Sequence, residues 1–564
     1  MNTLRVSALV LILLAATLVA AGEEPLRLHV IWTNDVHGHI APEPARFMNP
    51  EFPPPLGGAP AAATYIKRVR AEAATAGEAV LLMDVGDMFQ GTPIGTKTEG
   101  RAVIDYYNAI GYDFAVPGNH DFDLGREVTE RLARASRFPW LAANLVEKDT
   151  GRVVDWCVPT LMIEREGVKI GVIGIITPGT KHMSFPQNIA GLDFLPMAAT
   201  VAKYRDELKR QGADLILLAI HEGLPYDPQQ GWAAIAGAEE TDAELEQGGA
   251  HGSNYSGSVP NLMELVNAVP GIDIAVGGHT HRGYQEPWID PVNHTLCFES
   301  FGNGSSIGHA VLLIDPKSRQ LVGWERSHDQ GTLITLFADE FPPDPEIAEV
   351  IRPYQEEAER AMARQVGTAA VNLTRGGPGN SLMGNLVTDA MRTRFDADFA
   401  FQNMGGLRAD LPAGPITAGD IFSVLPFGNE LVIVEMDGRM LRRILERKVA
   451  GESGGLCVSG ITMEFDKTRP DWDRVVTLLV GGEPWDPDRI YKAVCTNFLL
   501  EGNSGLDFLT TIPAAAVMPT QIRTSEAVEW YIEQHDPVRP RIDNRWVEVT
   551  GKPQAPYLTT RYLP

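Results

Sequence analysis

Five short apolar runs in the first half of the chain each end in side chains that bind metal ions, and this repetition limits the fold more than any other feature. The segments are Val30-Ile31-Trp32-Thr33-Asn34-Asp35-Val36-His37-Gly38-His39, Leu82-Met83-Asp84-Val85-Gly86-Asp87, Val116-Pro117-Gly118-Asn119-His120-Asp121-Phe122-Asp123, Leu217-Leu218-Ala219-Ile220-His221-Glu222 and Ala275-Val276-Gly277-Gly278-His279-Thr280-His281. The compact apolar runs at 26–32, 79–83, 169–176, 214–220 and 272–276 are bounded by turn residues and read as strands. Helical spacing at 197–211 lies between two of them. Such alternation predicts an α/β domain with buried sheets, and ligands at the carboxyl ends of its strands would converge on one crevice.

The residue types fit two divalent cations, which need oxygen and imidazole donors and a carboxylate able to bridge. In an extended chain, Asp35-x-His37 and His279-x-His281 would each place two donors on one side, because side-chain direction alternates. Glycines flank these donors and allow tight turns behind a metal.

At 341–344 the composition changes to Phe-Pro-Pro-Asp. A charged stretch at 345–364 then has helical spacing and reads as a helix joining two domains. Beyond it, strand-like segments at 431–436, 460–465 and 491–496 indicate a mixed α+β domain. At 564 residues, two domains are expected.

The formal net charge of −25 disfavours nonspecific binding to a nucleic acid polymer or an anionic membrane. An acidic protein that binds phosphate must neutralise charge locally, which bound metals and a few arginines would do. Arg5, the apolar run 6–19 and Val19-Ala20-Ala21 before Gly22 read as an export signal over 1–21, which implies a periplasmic or secreted protein without a stable membrane anchor. The four cysteines, Cys157, Cys297, Cys457 and Cys495, form no disulfide framework. Cys457 and Cys495 stand in two strand-like runs of one half, either as a pair or as buried thiols.

Asp-x-His, Gly-Asp, Gly-Asn-His-Asp, a single His and Gly-His-x-His in this order resemble the calcineurin-like metallophosphoesterases. Gly384-Asn385-Leu386, Asn403-Met404-Gly405-Gly406-Leu407-Arg408, Leu425-Pro426-Phe427-Gly428-Asn429 and Asn497-Phe498-Leu499 resemble the second domain of the 5'-nucleotidases. The likeness runs from about residue 26 to 547. It implies an α/β fold: a four-layer αββα sandwich at 25–338, a linker helix at 339–364 and an α+β substrate-binding domain at 365–550.

The resemblance further implies that Asp35, His37, Asp87 and His281 hold one metal, and Asp87, Asn119, His221 and His279 the other. The pair would be Mn, Zn, Co or Mg. Many relatives carry Gln where His281 stands. His120 matches the catalytic histidine and Asp123 its carboxylate partner, which would keep the ring protonated to stabilise charge on a departing oxygen. Asp121, Asp84, Asn34 and His39 read as supporting residues. Asn403 and Arg408 match substrate contacts, and Arg375 is a further candidate phosphate contact. Phe427 and Phe498 match aromatics that sandwich a nucleobase. One departure is Ser504, where the family commonly has an Asp that contacts ribose hydroxyls. The implied activity is hydrolysis of nucleoside 5'-monophosphates. The alternatives are 2',3'-cyclic nucleotides, nucleotide sugars and diphosphates, as related phosphate esters on the same architecture.

Overall fold

The computed structural model describes residues 24–558 apart from 46–47, 50–51, 185–186, 226, 238–258, 330, 378–380, 451–454 and 501. The export signal expected at 1–21 lies outside the described residues. The chain divides into two compact units with the boundary between Gln355 and Glu356.

The first unit contains two six-stranded sheets besides two short two-stranded ones. The strands of the large sheets are β1 (Leu26–Thr33), β2 (Ala79–Asp84), β3 (Phe114–Ala115), β4 (Thr160–Arg165), β5 (Val168–Ile176), β6 (Leu215–His221), β7 (Ile274–Gly277), β8 (Trp288–Ile289), β9 (Leu296–Glu299), β10 (Ser306–Ile314), β11 (Leu321–Arg326) and β12 (Leu333–Thr335). The first sheet has the order β11-β10-β1-β2-β3, with β12 on β10. The second has the order β8-β9-β7-β6-β5-β4. β1, β2 and β3 are parallel, as are β5, β6, β7 and β9. The expected strands at 26–32, 79–83, 169–176, 214–220 and 272–276 are β1, β2, β5, β6 and β7, with ends moved by one or two residues.

Alternation explains why these strands read as unbroken apolar runs. Leu28, Val30 and Trp32 of β1 and Leu81 and Met83 of β2 share one core with Leu215, Leu217 and Ala219 of β6 and Ile274 and Val276 of β7. The two sheets therefore pack face to face, and Trp32 meets Phe298 of β9 with ring centroids 5.1 Å apart. The intervening residues Ile216, Leu218 and Ile220 point the other way. They are covered by Met197, Val201 and Leu208 of the helix Met197–Arg210 and by Leu262, Leu265 and Val266 of the helix Leu262–Ala268. On the far face of the first sheet, Tyr65 of α1 (Gly58–Ala76) reaches His309 of β10. A strand buried on both faces has no polar side to alternate with. The layers are helix, sheet, sheet, helix.

The helix Pro345–Met362 runs across the unit boundary, close to the 345–364 span expected from the sequence. The second unit is α+β. Its principal strands are β13 (Phe399–Asn403), β14 (Glu430–Asp437), β15 (Leu456–Ser459), β16 (Ile461–Phe465), β17 (Val475–Val480), β18 (Ile490–Thr496), β19 (Val517–Arg523) and β20 (Trp546–Glu548). The main sheet has the order β15-β13-β18-β14-β19. One of its faces packs Leu386, Val387, Ala390 and Met391 of the helix Leu382–Arg394 and Val528 and Ile532 of the helix Thr524–Gln534. The other packs Leu441, Ile444 and Leu445 of the helix Gly438–Val449 together with β16 and β17.

All four cysteines are buried free thiols. Cys457 lies on β15 and Cys495 on β18, with β13 between them. Two strand spacings put their backbones about 10 Å apart, beyond the reach of a disulfide.

Candidate metal centre

The carboxyl ends of five strands, three from the first sheet and two from the second, deliver the donors. Asp35 and His37 follow β1, Asp87 follows β2 and Asn119 follows β3. His221 ends β6, and His279 and His281 follow β7. Two groups form. Donor atoms of Asp35, His37 and His281 lie within 4.8 Å of one another, and so do those of Asp87, His221 and His279. Asn119 joins the second group through its Oδ1, 3.1 Å from His221 Nε2. Asp87 Oδ2 reaches both groups, at 3.2 Å from His221 Nε2 and 3.8 Å from His37 Nε2. All seven expected ligands are thus brought together.

The local conformation differs from the extended one expected of Asp-x-His and His-x-His. Asp35, His37, Asp87, His279 and His281 have φ of 51°, 51°, 56°, 73° and 56°. Five of seven donors therefore sit in the left-handed region, which residues with a Cβ adopt at a cost of about 1–3 kcal/mol each. The donors converge because the chain coils at each strand end. The surroundings hold it there: Asp35 N donates to Gly86 O at 2.8 Å and His37 N to Asp87 O at 2.9 Å. Gly118 serves close approach, since a Cβ there would lie 2.1 Å from Asp87 Oδ1.

The donor chemistry fits cations. His37 Nδ1 lies 2.6 Å from Gln90 O and His221 Nδ1 lies 2.8 Å from Val85 O. A carbonyl only accepts, so each Nδ1 carries a proton and each Nε2 is left to face the cluster. Burial is the main cause that holds His37 well below its ordinary range, and His279 is lowered to about 3, again chiefly by burial. His279 Nε2 is buried with no hydrogen-bond partner among the described residues. For Asp87, burial works against ionisation, but His221 and His120 outweigh it and keep the carboxylate well below its usual range. At His221 burial disfavours the charged ring, yet Asp87 outweighs it and raises the ring to about 10.

His120 stands beside this cluster. Its Nδ1 is 2.8 Å from Asp123 Oδ2, and 42% of its side chain is open to solvent. Burial of the rest disfavours the charged ring, but Asp123 and then Asp87 outweigh it and raise His120 to about 10. Bound cations would engage Asp87 and oppose that shift, so Asp123 is the lasting partner.

The supporting residues divide. Asp121 accepts from the backbone N–H of Asp87, Met88 and Gly118, tying the β2 and β3 loops together. Asn34 donates to Asp35 Oδ2 at 2.7 Å and exchanges two bonds with the backbone of Ser300, which joins the sheets. Asp84 accepts from Thr33, Tyr107 and the N–H of Gly86. His39 pairs instead with Glu43.

In the second unit, strand pairing brings the expected substrate residues to one end of the main sheet. Leu431 pairs with Thr496, so Phe427, just before β14, and Phe498, just after β18, project from the same end. Asn403 ends β13, which runs parallel to β18. The Arg408 guanidinium lies over the Phe427 ring at 5.8 Å, and that ring is 50% exposed. Arg375 is held by Asp410 Oδ1 at 2.9 Å and by Arg408 O at 3.1 Å, so it braces Arg408. Ser504 has φ 57°, and its carbonyl accepts from Lys448 Nζ. Gln402, which sequence reading passed over, is buried on β13 and its Nε2 donates to Asn403 Oδ1 at 3.0 Å. The one sequence signal is an amide beside Asn403 in an otherwise apolar strand.

Two stretches of the chain match known protein families. Residues 28–283 match the calcineurin-like phosphoesterase family, and residues 365–511 match the 5'-nucleotidase C-terminal domain. Protein UshA of Yersinia enterocolitica is 27% identical over 90% of this chain and 91% of its own length. Endonuclease YhcR of Bacillus subtilis is 27% identical over 85% of this chain, which spans only 37% of that protein. The crystal structure of a 5'-nucleotidase precursor from Thermus thermophilus superposes with a TM-score of 0.66 at 25% identity, covering 94% of this chain and 100% of that one. Fold and family together define a metal-dependent phosphoester hydrolase, and the fold implies divalent metal ions. Within that class, the chain carries a match to the calcineurin-like phosphoesterase family followed by a match to the 5'-nucleotidase C-terminal domain.

Proposed function

We propose that this protein is exported and hydrolyses nucleoside 5'-monophosphates to nucleoside and phosphate, with two divalent ions from among Mn, Zn, Co and Mg. The observation that carries the reading is the pair of donor groups sharing Asp87, in a chain whose second unit gathers Asn403, Arg408, Phe427 and Phe498 at one sheet end. The proposed domain limits are catalytic 25–338, linker 339–364 and substrate-binding 365–550.

Asp35, His37, Asp87 and His281 would hold one ion, and Asp87, Asn119, His221 and His279 the other. When bound, such ions polarise phosphoryl oxygens and acidify water. The chain's own residues do the rest. His120, fixed through Nδ1 by Asp123, presents Nε2 to donate to phosphoryl charge or to the departing oxygen. Arg408 offers a forked donor to an anion. Phe427 and Phe498 supply faces for a base. Arg375 acts by holding Arg408.

Ser504 favours a second reading. A serine cannot supply the negative charge that the family's Asp offers to sugar hydroxyls. Cyclic nucleotides and nucleotide sugars therefore remain alternative substrates. The net charge of −25 argues against a nucleic acid polymer.

A hydrolysis panel, read by phosphate release for the monoesters and by chromatography of the products for the diesters, tests the proposal. AMP, UDP-glucose, 2',3'-cyclic AMP, single-stranded DNA and an aryl phosphate are compared with each metal added. AMP is expected to give the highest kcat/KM. Turnover of the aryl phosphate alone, or unchanged activity after dialysis against chelator, would falsify it.

A further inference from the structure

A buried carboxyl outside the expected ligand set sits at the junction of the two loops by which the second sheet contributes to the metal centre. Glu299 ends β9, is 0% exposed and lies beside Gly277 of β7 in the strand register. Its two oxygens face different loops. Oε2 accepts from Leu224 N at 2.9 Å, three residues beyond His221. Oε1 accepts from Thr280 Oγ1 at 2.5 Å and from Arg282 N at 3.2 Å, within the loop of His279 and His281.

We propose that Glu299 is a positioning residue of the metal centre, whose carboxylate clasps the His221 loop to the His279–His281 loop and so fixes three metal ligands at once. The inference rests on the metal-centre reading above. Three observations carry it.

The first is strain. His279 and His281 occupy left-handed conformations, with φ of 73° and 56°, that persist only where the surroundings over-determine them. Glu299 binds the residue between them and the residue after them.

The second is closeness. A Cβ on Gly223 would lie 2.5 Å from both Gly278 O and Thr280 Oγ1, so the loops already touch, and the carboxylate sets their spacing.

The third is cost. Placing a carboxyl at a fully buried strand position is unfavourable unless its oxygens are hydrogen-bonded, and here both are. An apolar residue would pack β9 without that requirement. The first sheet uses the same device, because Asp121 ties the Asp87 loop to the Gly118–Asn119 loop.

Outer partners of metal ligands are worth about 10–100-fold in metal affinity. The test compares wild type with Glu299→Ala, Glu299→Gln and Thr280→Val, each stripped of metal. Mn²⁺ affinity is measured by calorimetry, and ligand geometry by the visible spectrum of the Co²⁺ form. Expected is a 10–100-fold weaker site in Glu299→Ala, a smaller loss in Thr280→Val, partial recovery in Glu299→Gln and an altered Co²⁺ spectrum. The apo melting temperature should stay near that of wild type. Wild-type affinity with an unchanged spectrum overturns the proposal, as does a fall in apo stability with affinity intact, which would mark a structural role only. If Glu299→Ala does not fold, Thr280→Val decides, since it removes one hydroxyl and no ligand. A wild-type chain that binds no metal would instead sink the metal-centre reading itself.

Discussion

His37 Nε2 and His281 Nε2 face each other at 3.0 Å, although 244 positions separate them in the chain. His37 carries its proton on Nδ1, so its inner nitrogen is a lone pair aimed at another imidazole. The same pattern recurs where His221 Nε2 meets Asp87 Oδ2 and Asn119 Oδ1 within 3.2 Å. Crowded acceptors repel unless a proton or a cation lies among them. The site is arranged for the cation.

Asp87 is the group common to both clusters, so Asp87→Asn should disable both. The amide keeps the shape but loses the charge that balances two dications. Turnover is expected to fall by more than about 10³-fold, equivalent to roughly 4 kcal/mol of transition-state stabilisation. Circular dichroism should show a folded chain. Wild-type turnover in this variant would remove Asp87 from the centre.

His120 and Asp123 should separate chemistry from metal binding. His120→Ala removes a donor without removing a ligand, and such losses are typically about 10²–10⁴-fold in rate. Asp123→Asn leaves the ring in place but without its anionic partner, so a smaller fall is expected. Both variants should hold the wild-type number of metal ions by elemental analysis. Loss of metal in His120→Ala would reassign the residue to coordination.

The second unit makes a prediction that metals cannot mimic. Stacking of a base on an aromatic ring is worth about 1–3 kcal/mol. Phe427→Ala and Phe498→Ala should each raise KM for AMP by roughly 5- to 150-fold, the range those energies convert to. An aryl phosphate lacks the base, so its kcat/KM should stay within about twofold. Equal losses on both substrates would mean that the rings serve packing, a role already partly visible for Phe498, which leans on the unit's core.

These sites differ in how far they could be read from sequence. The strand ends were legible because β1, β2, β6 and β7 are buried on both faces, and Asp87, His221 and His279 follow apolar runs directly. The left-handed φ of five ligands was not legible, because it arises from loop-to-loop hydrogen bonds such as Asp35 N to Gly86 O. Strand order was hidden too. β10 inserts its antiparallel edge beside β1 after more than two hundred intervening residues, and β13 separates Cys457 from Cys495. Glu299 carries no motif at all. Its importance appears only once β9 is placed next to β7.

Acid stability should depend on a histidine remote from the metals. His309 is buried on β10, its Nδ1 is 2.6 Å from the Tyr65 hydroxyl and its Nε2 is 2.9 Å from His29 Nδ1, while His29 Nε2 meets Glu78 at 2.7 Å. With Tyr65 donating to His309 Nδ1 and His309 Nε2 donating to His29, the His309 ring is neutral and both its nitrogens are used. Burial, reinforced by His29 and His328, lowers His309 to about 3. An unfolded chain takes up that proton near pH 6.5, whereas the folded one refuses it. The stability His309 confers is therefore complete above about pH 6.5 and is lost as pH falls toward 3. Between pH 7 and pH 5 its share is about 2 kcal/mol. Urea unfolding of chelator-treated protein at the two pH values measures the slope, and His309→Gln, which keeps a donor and an acceptor but cannot titrate, should flatten it by that amount. The same slope in both proteins would mean that His309 is not the group that sets it.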